Sequence, residues 1–231
     1  MITVRKSQDR GHFQGDWLDS YHTFSFDTYY DPAHMGFRTL RVINQDRVQA
    51  EAGFPLHPHR DMEILSFVLA GALKHKDSLG HEEVIRAGEV QRITAGSGIM
   101  HSEFNPSDKE EVHFLQIWIL PEEKGLNPSY EKKQFEPKKP NSLQLLASRD
   151  GRDGSVILHQ DVTLYSGEVE TGSTVEYRLP EGRHLWIQVI SGELELGGQR
   201  LEAGDGAAIS EERASCLTAR DMARFILFDL N

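Results

Sequence analysis

Between residues 62 and 120 the chain alternates short apolar segments with turn residues. The segment at 64–69 runs into Ala-Gly and then into a second segment at 72–77, and segments at 87–94 and 112–120 continue the series. Short segments separated by turns at roughly eight to twelve residue spacing are typical of β-sandwiches and β-barrels. Because no long segment with a 3.6-residue period interrupts them, the pattern predicts an all-β fold.

The second half of the chain repeats this pattern after a change in composition. Residues 121–140 contain four prolines and dense mixed charge, which favour an exposed linker. Strand and turn signals then return at 183–198 and 201–209, in an order that parallels the first half. We interpret this as an internal duplication, with one domain over residues 1–135 and a second over 136–231, each an antiparallel β-barrel.

Charge and cysteine content exclude several classes of function. The formal net charge is −11 and neither half is net basic, which argues against direct nucleic-acid binding. Cys216 is the single cysteine, so neither an intrachain disulfide nor a thiolate metal site can form. The first residues are polar and no apolar run reaches the length of a membrane span, so we expect a cytoplasmic protein that is not embedded in a membrane.

Two short segments each place two metal-ligating side chains one residue apart. His57 and His59 form one pair, and His101 and Glu103 form the other. Side chains alternate between the two faces of a strand, so each pair falls on one face. If the two segments lie side by side in a barrel with these faces inward, three imidazoles and one carboxylate converge. The sequence therefore predicts a metal site.

The alternative is that the pairs arise by chance among eleven histidines. Nine of the eleven lie before residue 136, and the four ligand candidates fall into two pairs of the same spacing, which favours the metal site. His159 and His184 have no partner at such a spacing. We therefore expect the second domain to be metal-free and the chain to hold one ion.

The two segments resemble the two sequence motifs of the cupin superfamily, with departures that fit the pirin family. Gly53 stands closer to His57 than the first motif requires, and Thr-Ala-Gly-Ser-Gly replaces the proline and glycine of the second. The residues that look like pirin are Phe-Ser-Phe at 24–26, Tyr-Tyr-Asp-Pro at 29–32, Met-Gly-Phe at 35–37, Leu-Arg-Val at 40–42, His-Pro-His-Arg-Asp-Met-Glu at 57–63 and Thr-Ala-Gly-Ser-Gly-Ile-Met-His-Ser-Glu at 94–103. The likeness is dense between residues 5 and 130 and mainly architectural beyond.

The resemblance implies a bicupin, with two tandem jelly-roll barrels, and the ligand set His57, His59, His101 and Glu103. It is strongest to the bacterial pirin-like proteins with quercetin 2,3-dioxygenase activity. It therefore implies a dioxygenase that opens the heterocyclic ring of a flavonol with O2 and releases CO, with Glu103 also acting as the base. Fe(II) is the expected ion, although imidazole and carboxylate ligands also admit Mn, Ni, Co, Cu or Zn.

Glu63 has the same strand parity as His57 and His59, so it could also face inward. Many cupins use this glutamate as a ligand, whereas pirins use the glutamate of the second segment. Glu63 is therefore expected to orient an imidazole. The alternative is a buried carboxylate paired with Arg60 or another basic residue.

Two further functions remain open at this stage. Eukaryotic pirins are associated with transcription cofactors, so the resemblance also allows a non-catalytic regulator whose metal state shapes a surface for a protein partner. A third reading is a different metal-dependent oxidase or isomerase, for which the quercetin reaction would be incidental. Quercetin binding without turnover in air would favour the regulator.

Overall fold

The computed structural model describes residues 1–136, 139–211 and 214–231. Almost all of its regular structure is β, which confirms the predicted fold class. The strands are β1 (Ile2–Arg5), β2 (Gly11–Gln14), β3 (Leu18–His22), β4 (Leu40–Val48), β5 (Gly53–His59), β6 (Glu63–Ala70), β7 (Ala72–Asp77), β8 (Glu82–Arg86), β9 (Glu89–Thr94), β10 (Ile99–Phe104), β11 (Val112–Ile119), β12 (Ser129–Gln134), β13 (Ser142–Ser148), β14 (Val156–Ile157), β15 (Val162–Val169), β16 (Thr174–Arg178), β17 (His184–Leu196), β18 (Gln199–Glu202), β19 (Gly206–Ser210) and β20 (Ala214–Leu230). Two short 3-10 helices span Ser7–Asp9 and Arg152–Gly154.

The chain forms two compact units. The N-terminal unit comprises Gly11–Glu136 and Val156–Gln160, and the C-terminal unit comprises Met1–Arg10, Pro137–Ser155 and Asp161–Asn231. Met1–Arg10 therefore belongs to the C-terminal unit and Val156–Gln160 to the N-terminal unit, so no single boundary in the sequence separates the two units. The domain boundary between residues 135 and 136 stays a prediction.

The predicted linker over residues 121–140 is partly wrong. Ser129–Gln134 forms β12, which pairs antiparallel with β9 from Ser129 opposite Thr94 to Gln134 opposite Glu89. Its backbone is therefore part of a sheet, although none of its side chains is fully buried and three of them are charged. Residues 137 and 138 of the predicted linker lie outside the described residues.

The N-terminal unit contains two antiparallel sheets. The larger has the strand order β12-β9-β6-β11-β4-β3-β2, and the smaller has the order β5-β10-β7-β8. A core cluster takes side chains from both, including Val68 and Phe114 of the larger sheet and Leu73 and Ile85 of the smaller. The two sheets therefore pack face to face through an apolar core.

Strand β10 reverses the usual placement of polar and apolar side chains. Its alternate residues Ile99, His101 and Glu103 are buried, whereas Met100 and Phe104 are exposed. Because the side-chain period of a strand is two, one register choice turns His101 and Glu103 inward together. Burial of two polar residues at the expense of two apolar ones indicates an interior with a function other than packing.

The C-terminal unit is built on one antiparallel sheet. Its strand order is β1-β19-β17-β20-β15-β13, with β18 also pairing with β17 and β16 with β20. The core is apolar, with Leu185, Ile187, Phe225 and Leu227 among its fully buried side chains. None of the helices in the described part of the chain has the length and apolar character needed to cross a membrane.

Candidate metal centre

The two sequence-predicted ligand segments are neighbouring strands. β5 and β10 pair antiparallel, with His101 directly opposite His57 and Ile99 opposite His59. Residues directly opposite in an antiparallel pair face the same side of the sheet. The pairing therefore brings His57, His59 and His101 onto one face, as the spacing of the segments predicted.

The register of this strand pair shifts between His101 and Glu103, so that Glu103 lies opposite Phe54. Close to this shift, Gly53 packs against the backbone of β10. A Cβ at Gly53 would lie 2.3 Å from the carbonyl oxygen of Glu103 and 2.5 Å from Cα of Phe104. Only a residue without a side chain allows the two strands to approach this closely beside Glu103.

The three histidines form a compact cluster. Each offers a ring nitrogen within 4.8 Å of those of the other two. Their ring centroids are 4.8 Å apart for His57 and His59, 4.5 Å for His57 and His101, and 4.8 Å for His59 and His101. Imidazole rings at this separation can direct three nitrogens at one small ion.

Burial holds two of these imidazoles in their neutral form. Burial, together with the charges of His101 and His57, lowers the pKa of His59 to about 3. Burial also lowers the pKa of His101 to about 3, with His57 and His75 as additional causes. A neutral imidazole is the form that ligates a metal ion, so both rings are ready to bind at neutral pH.

The hydrogen bonds of the cluster fit a metal ion. His57 Nδ1 lies 2.7 Å from the carbonyl oxygen of Pro55, to which it donates, so Nε2 keeps a free lone pair. His101 is fully buried, and neither of its ring nitrogens has a hydrogen-bond partner among the residues that the structure describes. Buried polar atoms are normally satisfied, and an ion bound by His101 would explain the exception.

Glu103 is anchored to the larger sheet by a row of polar side chains. Gln91, Ser66 and Gln116 are direct cross-strand neighbours on β9, β6 and β11. Gln91 donates to Glu103 Oε1 at 2.9 Å, Gln116 donates to Oε2 at 2.7 Å, and Ser66 Oγ lies 3.0 Å from Oε1. Hydrogen bonds of this kind stabilise an ionised carboxylate and fix its position.

The structure places Glu103 with His101 and with a residue that the sequence analysis did not select. His75 on β7 is fully buried, lies opposite Glu103 in the pairing of β7 with β10, and groups with His101 and Glu103 within 4.8 Å. Its Nε2 lies 2.9 Å from Asp77 Oδ2. His75 and Asp77 are themselves a pair spaced by two on a strand, which is the signal that identified the other segments.

Glu63 contacts a histidine outside the three-histidine cluster. It is fully buried, and its Oε2 accepts a hydrogen bond of 3.2 Å from the backbone N–H of His159, whose ring Nδ1 lies 3.3 Å away. The imidazole beside Glu63 is thus that of His159, which the sequence analysis left without a partner. The pairing with Arg60 considered above does not form.

A cavity of about 650 Å³ opens beside the three-histidine cluster, within the N-terminal unit. Both His57 and His59 line it, together with the aromatic side chains Phe13, Trp17, Phe26, Phe54 and Trp118. The ring of Trp118 contacts His59 edge-on at 5.0 Å. This volume and apolar lining are those of a site for a small, largely aromatic molecule.

Several polar groups of the cavity wall lie on three neighbouring strands of the larger sheet. Asn44 and Asp46 on β4 both line the cavity, as do Ser20 on β3 and Gln116 on β11. Ser20 donates a hydrogen bond to Asp46 Oδ1. Burial raises the pKa of Asp46 to about 7 despite that hydrogen bond, and the negative charges of Glu103 and Asp19 add to the rise.

Comparison with known families assigns both halves of the chain. Residues 3–119 match the Pirin family, and residues 145–230 match the quercetinase C-terminal cupin domain. Quercetin 2,3-dioxygenase of Escherichia coli K12 is 46% identical over 230 residues, which cover 100% of this chain and 99% of that protein. The chain belongs to the pirin family. The predictions of a pirin and of two cupin-type domains are therefore confirmed.

Solved pirin structures agree with this assignment. The crystal structure of YhhW from Escherichia coli has a TM-score of 0.97 at 46% identity and covers 100% of this chain and 98% of that one. A crystal structure described as the bacterial pirin YhhW in complex with nickel(II) has a TM-score of 0.95, also at 46% identity, and covers 100% and 99%. A pirin of the same fold thus binds a divalent transition metal, which agrees with a metal centre in this chain.

Proposed function

We propose that this chain is a metal-dependent dioxygenase that opens the heterocyclic ring of flavonols such as quercetin with O2 and releases CO. The observation that carries the proposal is the position of the three-histidine cluster at the wall of an aromatic-lined cavity of about 650 Å³. A flavonol placed in that cavity would present its oxygen atoms to the cluster. Relatives of 46% identity that are named quercetin 2,3-dioxygenase support the same substrate class.

The proposed ligands are His57, His59, His101 and Glu103, with Fe(II) as the expected ion and Mn, Ni, Co, Cu or Zn as alternatives that the same donor atoms accept. When bound, a divalent metal ion would supply Lewis-acid activation of the flavonol 3-hydroxyl, and a redox-active ion such as Fe(II) would also supply a redox centre for O2. The hydrogen bond from His57 Nδ1 to Pro55 would leave the other ring nitrogen of His57 to bind the ion.

Glu103 is the proposed base that takes the proton of the 3-hydroxyl. Its carboxylate lines the cavity and is held in place by Gln91 and Gln116. A base must lie within hydrogen-bonding reach of the proton that it removes, and as a metal ligand at the cavity wall Glu103 would meet that condition. Aromatic side chains such as Trp118 and Phe54 would pack on the rings of the flavonol and exclude water.

The test is oxygen-dependent loss of quercetin and release of CO by natively purified protein of known metal content. We expect turnover in the wild type and its loss in His101→Ala, whereas His184→Ala serves as a matched control because His184 lies in the C-terminal unit. Anaerobic binding of quercetin without turnover in air would refute the dioxygenase and favour the alternative, a regulator that recognises a protein partner.

A further inference from the structure

His75 on β7 has one ring nitrogen in a hydrogen bond and one without a partner. Its Nε2 lies 2.9 Å from Asp77 Oδ2, and both side chains are fully buried. Its Nδ1 is buried as well, and no residue that the structure describes forms a hydrogen bond with it. Buried polar atoms are normally satisfied, so this nitrogen is an exception that a bound ion would explain.

Asp77 determines which nitrogen of His75 carries the proton. Its Oδ1 accepts hydrogen bonds from the backbone N–H groups of Leu79 at 2.8 Å and His81 at 3.1 Å. Its Oδ2 lies 3.0 Å from His81 Nδ1. A carboxylate among these donors acts only as an acceptor, so the proton of a neutral His75 resides on Nε2. Nδ1 is therefore left with a lone pair, which is the form that binds a metal ion.

The pairing of β7 with β10 brings His75 to the metal centre. His75 lies opposite Glu103, and Asp77 lies opposite His101. The buried residues His75, His101 and Glu103 each offer one ligand atom within 4.8 Å of the other two, the same limit that the three-histidine cluster meets. Tyr130 stacks on the ring of His75 at 4.8 Å, which holds its plane. A cation at this point would satisfy the imidazoles and the carboxylate together.

We propose that His75 is a further ligand of the metal centre, with Asp77 as the carboxylate that orients it. The proposal rests on the metal centre of the function proposed above and adds a fifth protein ligand to it. A metal-ligating histidine commonly donates its other ring N–H to a carboxylate, which fixes the tautomer and makes the ligating nitrogen more basic. His75 and Asp77 already have this arrangement.

The experiment measures the dissociation constant of Ni(II) for metal-free protein, by competition with a chelator. The first variant is His75→Phe, which removes both ring nitrogens and keeps an aromatic ring that can stack on Tyr130. Loss of an orienting partner alone typically weakens metal binding about 10- to 100-fold, so loss of a ligand should weaken it by more than about 100-fold. Circular dichroism establishes whether the variant folds.

Asp77→Asn is the second variant, and it changes no side-chain volume. The amide oxygen can still accept from the backbone of Leu79 and His81, which turns the amide NH2 towards His75 Nε2. That nitrogen must then accept, so the proton moves to Nδ1 and the lone pair is lost. Ni(II) should bind about 10- to 100-fold more weakly. A buried pair with only a structural role would change the free energy of unfolding and leave the nickel affinity as it is.

His81→Ala is the matched control. His81 contacts the same carboxylate and stacks on the same Tyr130, but its side chain is 40% exposed and it belongs to neither group of metal-ligating residues. This variant should keep the wild-type affinity. X-ray absorption spectra of the nickel-loaded proteins should show one imidazole fewer at the ion in His75→Phe than in the wild type and in His81→Ala.

The outcomes separate the fifth ligand from the proposed reaction. Wild-type affinity in His75→Phe, or in Asp77→Asn if the first variant does not fold, overturns the ligand while quercetin turnover still decides the dioxygenase. Weaker binding with an unchanged number of imidazoles also overturns it, because His75 then acts through packing alone. The expected loss of affinity and of one imidazole, in a wild type that does not turn over quercetin in air, supports the ligand and refutes the dioxygenase. A wild type that binds no nickel overturns the ligand and the metal centre together.

Discussion

Glu103 is the carboxylate proposed as a ligand of the metal ion, and it also lines the cavity. If this carboxylate is both ligand and base, Glu103→Gln keeps an oxygen for coordination but cannot accept a proton at neutral pH. Metal should then bind more weakly, and quercetin turnover per bound ion should fall ~10²–10⁴-fold. Parallel measurement of metal content and quercetin loss checks this.

Glu111→Gln is the control for this substitution, because Glu111 is an exposed glutamate that pairs with Arg47. It should leave the rate per bound ion unchanged. Equal specific rates in Glu103→Gln and the wild type would contradict the assignment of Glu103 as the base and leave it a purely structural residue.

Asp46 should make the stability of the metal-free protein depend on pH. Its folded pKa is raised from 3.8 to about 7, so the stabilisation from its protonated form is complete below pH 3.8 and is lost as the pH rises towards 7. Asp46→Asn cannot ionise and lacks this dependence. Between pH 5 and pH 7 the free energy of unfolding should fall by about 2 kcal/mol more in the wild type than in the variant.

Urea unfolding of both metal-free proteins at the two pH values measures this difference. Other titrating groups cancel in the comparison, since the two chains differ only at residue 46. A parallel fall in both proteins would show that Asp46 ionises in the folded state as it does in the unfolded chain.

The sequence pattern identified the residues that lie two apart on one strand and face the same side of the sheet. His57, His59 and His101 could be found because two strands with a period of two meet in register. The anchor of Glu103 could not, because Gln91 and Gln116 come from strands whose pairing partners are set by the topology of the sheet. His75 had a local signal in its spacing to Asp77, and only the pairing of β7 with β10 shows its relevance.

At the scale of elements, the contact between β5 and β10 determines the geometry of the cluster, and Gly53 is the residue that permits it. Gly53→Ala would place a methyl group against the backbone of β10, at 2.3 Å from the carbonyl oxygen of Glu103. Backbone cannot move aside as a side-chain tip can, so the strands must separate. We expect a loss of about 1–3 kcal/mol in stability together with weaker metal binding.

Thermal unfolding with and without metal, and a metal titration, measure both effects. Gly15→Ala is the matched control, because the nearest atoms to its added Cβ belong to the ring of Phe13, an exposed side chain that can shift. A Gly53→Ala variant with wild-type metal affinity would mean that the β5–β10 approach does not control the cluster.

Strand β12 shows why the sequence did not predict every element. Its residues, Ser-Tyr-Glu-Lys-Lys-Gln, have neither apolar alternation nor a helical period, and prolines flank them on both sides. It is the terminal strand of its sheet, and β9 is its partner there. Tyr130 stacks on both His75 and His81, so tertiary contacts rather than local propensity account for the strand.

At the scale of the whole molecule, the two cupin-type domains differ in the chemistry of their interiors. The N-terminal unit buries His22, His75 and His101, whereas the polar side chains buried in the described part of the C-terminal unit, such as Asp205 and Asp229, include no histidine. Duplication followed by loss of ligands in one copy is consistent with this difference, since an apolar core stabilises a barrel without an ion.

The metal content of the whole chain depends on the four proposed ligands. We expect one ion per chain in the wild type, and strongly reduced occupancy in His57→Ala and in His101→Ala, because each removes one of four proposed ligands. Both variants should still fold, since the apolar core of the N-terminal unit contains neither histidine. His184→Ala, which removes a ring that contacts Ser210 in the C-terminal unit, should keep the full ion. Elemental analysis and circular dichroism of the four proteins decide the matter: a full equivalent of metal that persists in His57→Ala and His101→Ala would show that the ion is bound elsewhere.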